Sequence, residues 1–196
     1  MSGAVITYTL DMGRWEPDSQ GRLEQAALAL YLERGYDQTT VAEIAARAGL
    51  TERTFFRHFA DKREVLFKGD LLAKAMTSAV DATPKATPPL DAVGIALESV
   101  SEFFSDRRQH ARRRQIVIAA NPALQERELI KLATLGTSLA AALRERGVAP
   151  TTASLVAETG VAVFKVAFER WLDTDERTLA DHIRESLDEL RSAARP

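Results

Sequence analysis

Residues 40–62, Thr40-Val-Ala-Glu43-Ile44-Ala-Ala-Arg47-Ala48-Gly49-Leu50-Thr51-Glu52-Arg53-Thr54-Phe55-Phe56-Arg57-His58-Phe59-Ala-Asp61-Lys62, decide the fold. Thr40 followed three residues later by Glu43 is the pattern of a capping box, in which each side chain satisfies a backbone donor left over at a helix start. Val41, Ile44, Ala45 and Ala48 recur at the spacing of one helical face. Gly49 stands where the chain must leave that helix, in a left-handed conformation that a side chain would penalise. Leu50 fills the corner, Thr51 caps a second helix, and Phe55 and Phe59 share its core face. Arg53 and Arg57, also one turn apart, point elsewhere. Their guanidinium groups offer planar forks of donors suited to guanine edges and phosphates. Two short helices around a glycine turn, the second with outward arginines, make a helix-turn-helix pattern and point to DNA.

Working outward, the segment from about Pro17 to Lys68 resembles the DNA-binding domain of the TetR family of bacterial repressors. The likeness extends past one motif. A helix from Arg22 to Arg34 precedes it and ends in Gly35-Tyr36-Asp37-Gln38-Thr39, and Thr40 through Lys62 follow the family pattern almost without gaps. The resemblance implies that Thr40, Thr51, Thr54, His58 and Lys62 bind phosphates, and that Arg53 addresses bases with Glu52 and Arg57 nearby. It also implies that Lys62 opens the fourth helix, where an ammonium and helix N-terminal amides hold the same phosphate. Phe56 departs from the family's usual tyrosine. It keeps the packing and the contact with the sugar-phosphate backbone but lacks a hydroxyl, a hydrogen bond worth roughly 0.5–1.5 kcal/mol. Glu52 has three open readings: accepting from a cytosine amine, pairing with Arg53, or pairing with a neighbouring lysine.

Charge does not mark the whole chain as a nucleic-acid binder. It holds 26 basic and 28 acidic side chains, for a formal net charge of −2. Between Pro17 and Lys68 eight basic residues meet eight acidic ones, so affinity there must come from the placement of a few charges. Modest non-specific binding with strong salt dependence is expected.

The absence of cysteine excludes disulfides and thiolate metal sites and fits a reducing cytoplasm. Ala4 to Leu10 is apolar but too short, and too bare of flanking positive charge, for a signal peptide. No stretch is expected to approach the roughly 20 apolar residues that span a bilayer. His58, His110 and His182 are the three histidines, and none lies in a metal-ligand spacing. With no serine elbow, glycine-rich phosphate loop or cysteine nucleophile, neither an enzyme, a metal nor a cofactor is expected.

The remainder reads as helix throughout, giving an all-α fold. Asp61 with Glu64 is expected to open a helix running to about Val80, before a proline-rich loop from Asp81 to Pro89. Leu90 to Ser105 places Val93, Leu97, Val100 and Phe104 on one face. A basic helix from Asp106 to Ala120 stops at Asn121-Pro122. Leu124, Leu132, Leu135, Leu139 and Leu143 stripe the next helix as far as Gly147, and Pro150 to Leu172 and Asp175 to Ala194 give two more. The expected organisation is a flexible arm over 1–16 (with Met12 an alternative start), a helix-turn-helix domain over 17–68, and a larger ligand-binding and dimerisation domain over 69–196.

The last two helices have two readings, the interior of a monomer or half of a four-helix bundle shared by two subunits. The TetR resemblance favours the bundle, with Val156, Gly160, Val163, Ala167, Leu187 and Leu190 at the interface. Small residues such as Ala157, Gly160 and Ala167 would let a second helix approach closely. A two-fold dimer would read two half-sites of a palindromic operator about 34–36 Å apart or a multiple of that. The resemblance further implies that a small molecule in the larger domain changes the separation of the recognition helices, with the helix near Asp61 as lever.

Arg107 to Val117 with Asn121-Pro122-Ala-Leu124 resembles an actinobacterial TetR subgroup with an acyl-CoA-like ligand domain, the group containing the mycofactocin regulator. On that resemblance Phe103, Phe104, Arg107, His110, Arg114, Phe164, Phe168 and Trp171 would line the ligand site. The other reading gives the arginines a solvated face or salt bridges to Glu126 and Glu128, and the aromatics a place in the core or interface. The expected function is a ligand-responsive regulator, a repressor by family habit, that is cytoplasmic and joins the nucleoid when DNA-bound. The alternative is a soluble acyl-group or small-molecule sensor or carrier without sequence-specific DNA binding.

Overall fold

The computed structural model describes residues 18–67 and 70–194; the arm expected over 1–16, Met12 and Lys68 lie outside the described residues. Every regular element among the described residues is helical. In chain order these are α1 (Ser19–Arg34), α2 (Val41–Arg47), α3 (Glu52–His58), a 3-10 turn (Glu64–Leu66), α4 (Leu71–Ala82), α5 (Pro89–Val100), a second 3-10 turn (Ser101–Phe104), α6 (Arg108–Ala119), α7 (Pro122–Glu145), α8 (Pro150–Asp173) and α9 (Leu179–Ala193).

Local chemistry sets the helix ends. Thr40 forms the expected capping box, its hydroxyl accepting from the Glu43 amide at 3.2 Å while its own amide donates to the Glu43 carboxylate at 2.9 Å. Gly49 adopts φ +67°, the left-handed conformation that lets the chain turn into α3. Asn121 caps α7, with Pro122 at its first position.

Two expectations need correction. The helix expected from Asp61 to Val80 is broken into the Glu64–Leu66 turn and α4, with Phe67 extended between them. Val65, Leu66 and Phe67 are all buried, and three consecutive residues cannot share one face of an α-helix, so the chain leaves the helix to bury all three. The last helix begins at Leu179 rather than Asp175, because Thr178 and Asp181 form a second capping box.

The apolar side chains gather into two cores. One joins Leu23, Ala27 and Leu30 of α1 to Ile44, Phe55, Phe59 and Val65, and takes in Val117, Ile118 and Leu124 from the α6–α7 corner. The other is built from α4, α5, α7, α8 and α9 around Met76, Val93, Leu97, Leu139, Leu143, Trp171 and Ile183. Helix α8 contacts α5, α7 and α9 along its length. It also corrects the expectation about membrane spans: by length and composition this one described helix could cross a bilayer, with mean hydropathy 1.3 over 18 residues. In the fold that apolarity is used for packing.

Salt bridges cross between the parts of the chain that hold these cores. Glu64 pairs with Arg127 and, at 3.9 Å, with Lys131; Lys131 also reaches Asp70 at 3.4 Å. Arg114 of α6 donates to the Leu66 carbonyl at 2.7 Å and pairs with Glu128 at 3.1 Å.

Candidate nucleic-acid interface

Helix α3 is short, and its orientation is fixed from three sides. Thr51 caps it by accepting from the Thr54 amide at 3.2 Å. Phe55 is fully buried and Phe59 nearly so, their rings 5.4 Å apart. From α1, the Arg22 guanidinium donates to the Ala48 carbonyl at the turn before α3. The opposite face presents Glu52, Arg53, Phe56 and Arg57 to solvent, as the sequence pattern predicts. Phe56 is 55% exposed between the two arginines.

Charge pairing then singles out this face. Arg34 pairs with Glu43 at 2.6 Å, Arg47 with Glu33 at 2.7 Å, and Arg63 with Asp61 at 2.7 Å. These bonds hold the Glu43, Glu33 and Asp61 carboxyls below the usual carboxylate range; for Glu43 the larger contribution comes from Thr40. Among the described residues of this segment, Arg53 and Arg57 remain as exposed guanidinium groups without an ion pair; Arg57 has a 3.5 Å contact with the ring of His58. The near-neutral segment therefore concentrates its unpaired positive charge on α3. Among the described residues no ion pair of Glu52 with Arg53 or a lysine is seen, and its carboxylate is exposed on this face.

Several expected phosphate contacts are already engaged within the chain. Lys62 does not open an α-helix. Its ammonium donates to the carbonyls of Tyr36 at 2.9 Å, Thr39 at 2.9 Å and Asp37 at 3.4 Å, and lies 4.3 Å from the centre of the Tyr36 ring. All three of its donors are used, so here Lys62 clamps the α1–α2 turn. The Tyr31 hydroxyl, buried beneath, donates to the Lys62 carbonyl at 2.7 Å, and burial pushes that phenol's pKa up. His58 shares a 2.8 Å hydrogen bond with the Ser19 hydroxyl, leaving only one ring nitrogen for another partner. The hydroxyls of Thr40, Thr51 and Thr54 bond within their own caps, Thr40 to Glu43 at 3.0 Å and Thr51 to Thr54 at 3.1 Å.

In the larger part of the chain the expected ligand residues divide. Phe104, Phe164, Phe168 and Trp171 come together, with ring centres between 5.5 and 6.3 Å apart. Phe103 is 62% exposed on the other side of its 3-10 turn and does not join them. Arg107 is exposed, and His110 is partly buried on α6. Arg114 faces the first core, 4.9 Å over the Phe67 ring and paired with Glu128, which matches the salt-bridge reading of the arginines. The basic residue that does meet the aromatic group is Arg108, 5.0 Å over Trp171. Any one of the five arginines between 107 and 114 fits the sequence pattern, and only the helix phase selects Arg108.

The residues expected at a dimer interface are used within the chain: Val163, Ala167 and Leu187 lie in its core with Val156 and Leu190 packed against it, and Gly160 is buried on α8. The close approach that Gly160 permits is to α5: a Cβ there would stand 2.5 Å from Val93 Cγ1. The apolar residues that α8 shows to solvent are Leu155 and Val166, at 65% and 44% exposure, with Ala162 between them.

Comparison with known proteins agrees with this layout. A family model described as bacterial regulatory proteins, tetR family, matches residues 24–68, and one described as the MftR C-terminal domain matches residues 87–195, more than half of the chain. The mycofactocin biosynthesis transcriptional regulator MftR of Mycobacterium tuberculosis is 26% identical over 183 residues, 90% of this chain and 91% of that protein. The transcriptional regulator TcmR of Streptomyces glaucescens is 39% identical over 83 residues, 42% of this chain but only 37% of its own length. Among solved structures, the regulator FadR from Bacillus subtilis in complex with stearoyl-CoA superposes with a TM-score of 0.61 at 17% identity, covering 89% of this chain and 99% of that one. A SmeT–triclosan complex gives 0.60 at 19% identity, covering 89% and 90%. At such identities the structural likeness speaks to the fold alone.

Proposed function

Because the chain belongs to the TetR family of bacterial regulatory proteins, and so is a transcriptional regulator rather than an enzyme, we propose that it is a ligand-responsive repressor binding a palindromic operator as a homodimer. The observation that carries this reading is the outward face of α3, where Arg53 and Arg57 stand unpaired around an exposed Phe56. Arg53, near the start of α3, would read base edges; Arg57 and the cap threonines would hold the backbone, which positions a protein but does not specify sequence.

One short helix reads too few base pairs, and a two-fold dimer doubles them. The outward stripe Leu155, Ala162 and Val166 of α8 suits that contact. The effector is an acyl-CoA-like small molecule taken by the larger domain, a reading supported by stearoyl-CoA in the FadR structure and by the MftR-type C-terminal match. Repression follows SmeT, named as the repressor of an efflux pump of Stenotrophomonas maltophilia. Action in the cytoplasm, at the nucleoid, goes with this role.

Selection of bound DNA from a random library, with the full-length chain, tests the proposal. A two-fold symmetric site should be enriched, and Arg53→Ala should lose preference at one or two positions in each half-site, at roughly 1–3 kcal/mol per bidentate contact. Absence of any enriched sequence at low salt would overturn the operator reading, and an unchanged preference in Arg53→Ala would remove Arg53 from base recognition.

A further inference from the structure

Buried polar atoms in folded proteins almost always have partners, and an exception calls for an explanation. Among the described residues, four buried side-chain polar atoms have none: Nε of Arg108, both ring nitrogens of His182, and the hydroxyl of Ser186. They belong to three residues of one neighbourhood. Arg108, at the start of α6, lies over Trp171 and donates to the carbonyl of Arg177; Arg177 pairs with Glu185 at 2.8 Å; and the Glu185 carboxylate lies 3.8 Å from His182 Nδ1, too far for a hydrogen bond. Ser186 follows His182 by one turn of α9. Both side chains are more than nine-tenths buried.

The charge environment indicates what these atoms can do. Burial, followed by the positive charges of Arg177, Arg108 and Arg170, pushes the His182 pKa down against the opposing pull of Glu185, which favours the neutral ring. A neutral ring has one donor and one acceptor, Ser186 has a rotatable hydroxyl, and Arg108 Nε is a cationic donor. Such a set is rich in donors, and Arg108, whose Nη1 meets Asp175 at 3.4 Å, keeps its buried Nε–H for another acceptor. The neighbouring wall is apolar, with Phe104, Phe168 and Trp171 ring against ring. Phe104 is carried on the Ser101–Phe104 turn, the one part of the wall that is not α-helical, and a 3-10 segment between helices is a natural place for the chain to give.

We propose that Arg108, His182 and Ser186 form the polar pole of the effector site, binding the acyl oxygen of a molecule whose apolar body displaces Phe104 and lies against Phe168 and Trp171. This rests on the reading above that the larger domain takes a small-molecule effector, and adds where and by which atoms. The shared chemistry is an acyl oxygen, supplied by a free carboxylate or by a thioester.

Trp171 reports on the site directly once Trp15, the other tryptophan, is replaced by phenylalanine. Full-length Trp15→Phe protein is titrated with sodium octanoate and, separately, with octanoyl-CoA, following Trp171 emission, while fluorescence anisotropy follows a labelled selected operator. A saturable change with either probe, weakened tenfold or more in both Ser186→Ala and His182→Leu, supports the proposal; the effective probe identifies free acid or thioester. Both variants remove buried groups that lack partners, so their thermal midpoints should hold or rise, which separates lost binding from lost folding. Equal binding by the parent and both variants would overturn the polar pole while leaving an effector in the larger domain standing. Failure of both probes to bind, with selective DNA binding intact, would overturn the site but not the regulator. Loss of selective DNA binding in the parent would count instead against the regulator.

Discussion

Replacing Gly160 by alanine separates two uses of the small residues on α8. In the structure Gly160 faces Val93 of α5, and an added methyl carbon would stand 2.5 Å from Val93 Cγ1, closer than packed carbons tolerate. Val93 is fully buried and has no open side to move into. Overpacking of this kind costs typically about 1–3 kcal/mol. Against it, alanine in a helix interior gains about 1 kcal/mol over glycine. The expected net loss is up to about 2 kcal/mol, or a fall of up to roughly 4–8 °C in thermal midpoint at this chain length. Urea denaturation measures the loss, and sedimentation measures the oligomer. Val93→Ala makes room, so the double variant should be more stable than the sum of the single losses predicts, by about 1 kcal/mol of coupling. If Gly160→Ala instead gained the full helix-propensity increment and weakened self-association, Gly160 would face a second subunit and the packing argument would be wrong.

Other consequences follow from single side chains. Lys62→Met keeps the stem but removes the ammonium from three carbonyls; it should cost roughly 1–3 kcal/mol of stability while leaving the salt dependence of DNA binding unchanged. A salt slope flattened by about one unit would return Lys62 to the phosphate contacts. Phe56→Tyr should tighten operator binding roughly two- to tenfold with no change in thermal midpoint, the worth of one hydroxyl to a phosphate; unchanged affinity would mean that no phosphate lies within reach. Asp181 is held down at about 2, against an ordinary 3.8, first by Thr178 and then by Arg184. A depressed carboxyl stabilises fully above its unfolded pKa and loses that contribution as pH falls through its folded one. Urea midpoints of the parent and Asp181→Ala should therefore differ by a constant amount above about pH 5 and converge toward pH 2; a gap unchanged at pH 2 would place the stabilisation elsewhere.

The helix-turn-helix was legible because its signals are local. A capping box, a glycine at the turn and aromatics four residues apart act within one or two helical turns, and each stands where the sequence pattern puts it. The Asp61–Val80 helix was misread because continuous helical propensity says nothing of three adjacent residues claimed by one core. The intrachain bonds of Lys62 were hidden for a related reason: an exposed-looking lysine after a recognition helix and a lysine folded back on three carbonyls have the same local sequence. On α8 the apolar periodicity gave the buried face correctly but not its owner. Small residues that admit a close helix do not say whether that helix is α5 of the same chain or α8 of another. The aromatic group was found by residue type, whereas Arg108, His182 and Ser186 are recognisable only when the start of α6 is seen to meet the loop that leads into α9, which no spacing records.

On the proposed function, α6 offers a more direct connection between the two cores than the expected lever. Helix α4 begins only after the break at Phe67, so it is not continuous with the helix-turn-helix segment. Helix α6 is continuous over 12 residues, about 18 Å at 1.5 Å per residue, with each end embedded in a different place. Arg108 at its start lies on Trp171, and Val117 and Ile118 at its end belong to the core of α1–α3. Between them the Arg114 guanidinium, its pKa pushed down by burial and only partly restored by Glu128, bonds the Leu66 carbonyl and covers Phe67. A short helix is stiff, and a buried guanidinium that leaves its partners is costly to leave unpaired. A shift of the α6 backbone at its Arg108 end would therefore either move Val117 and Ile118 against α1 or break the Arg114 contacts. Both routes act on the seating of α1, and α1 positions α3 through the contact of Arg22 with the Ala48 carbonyl.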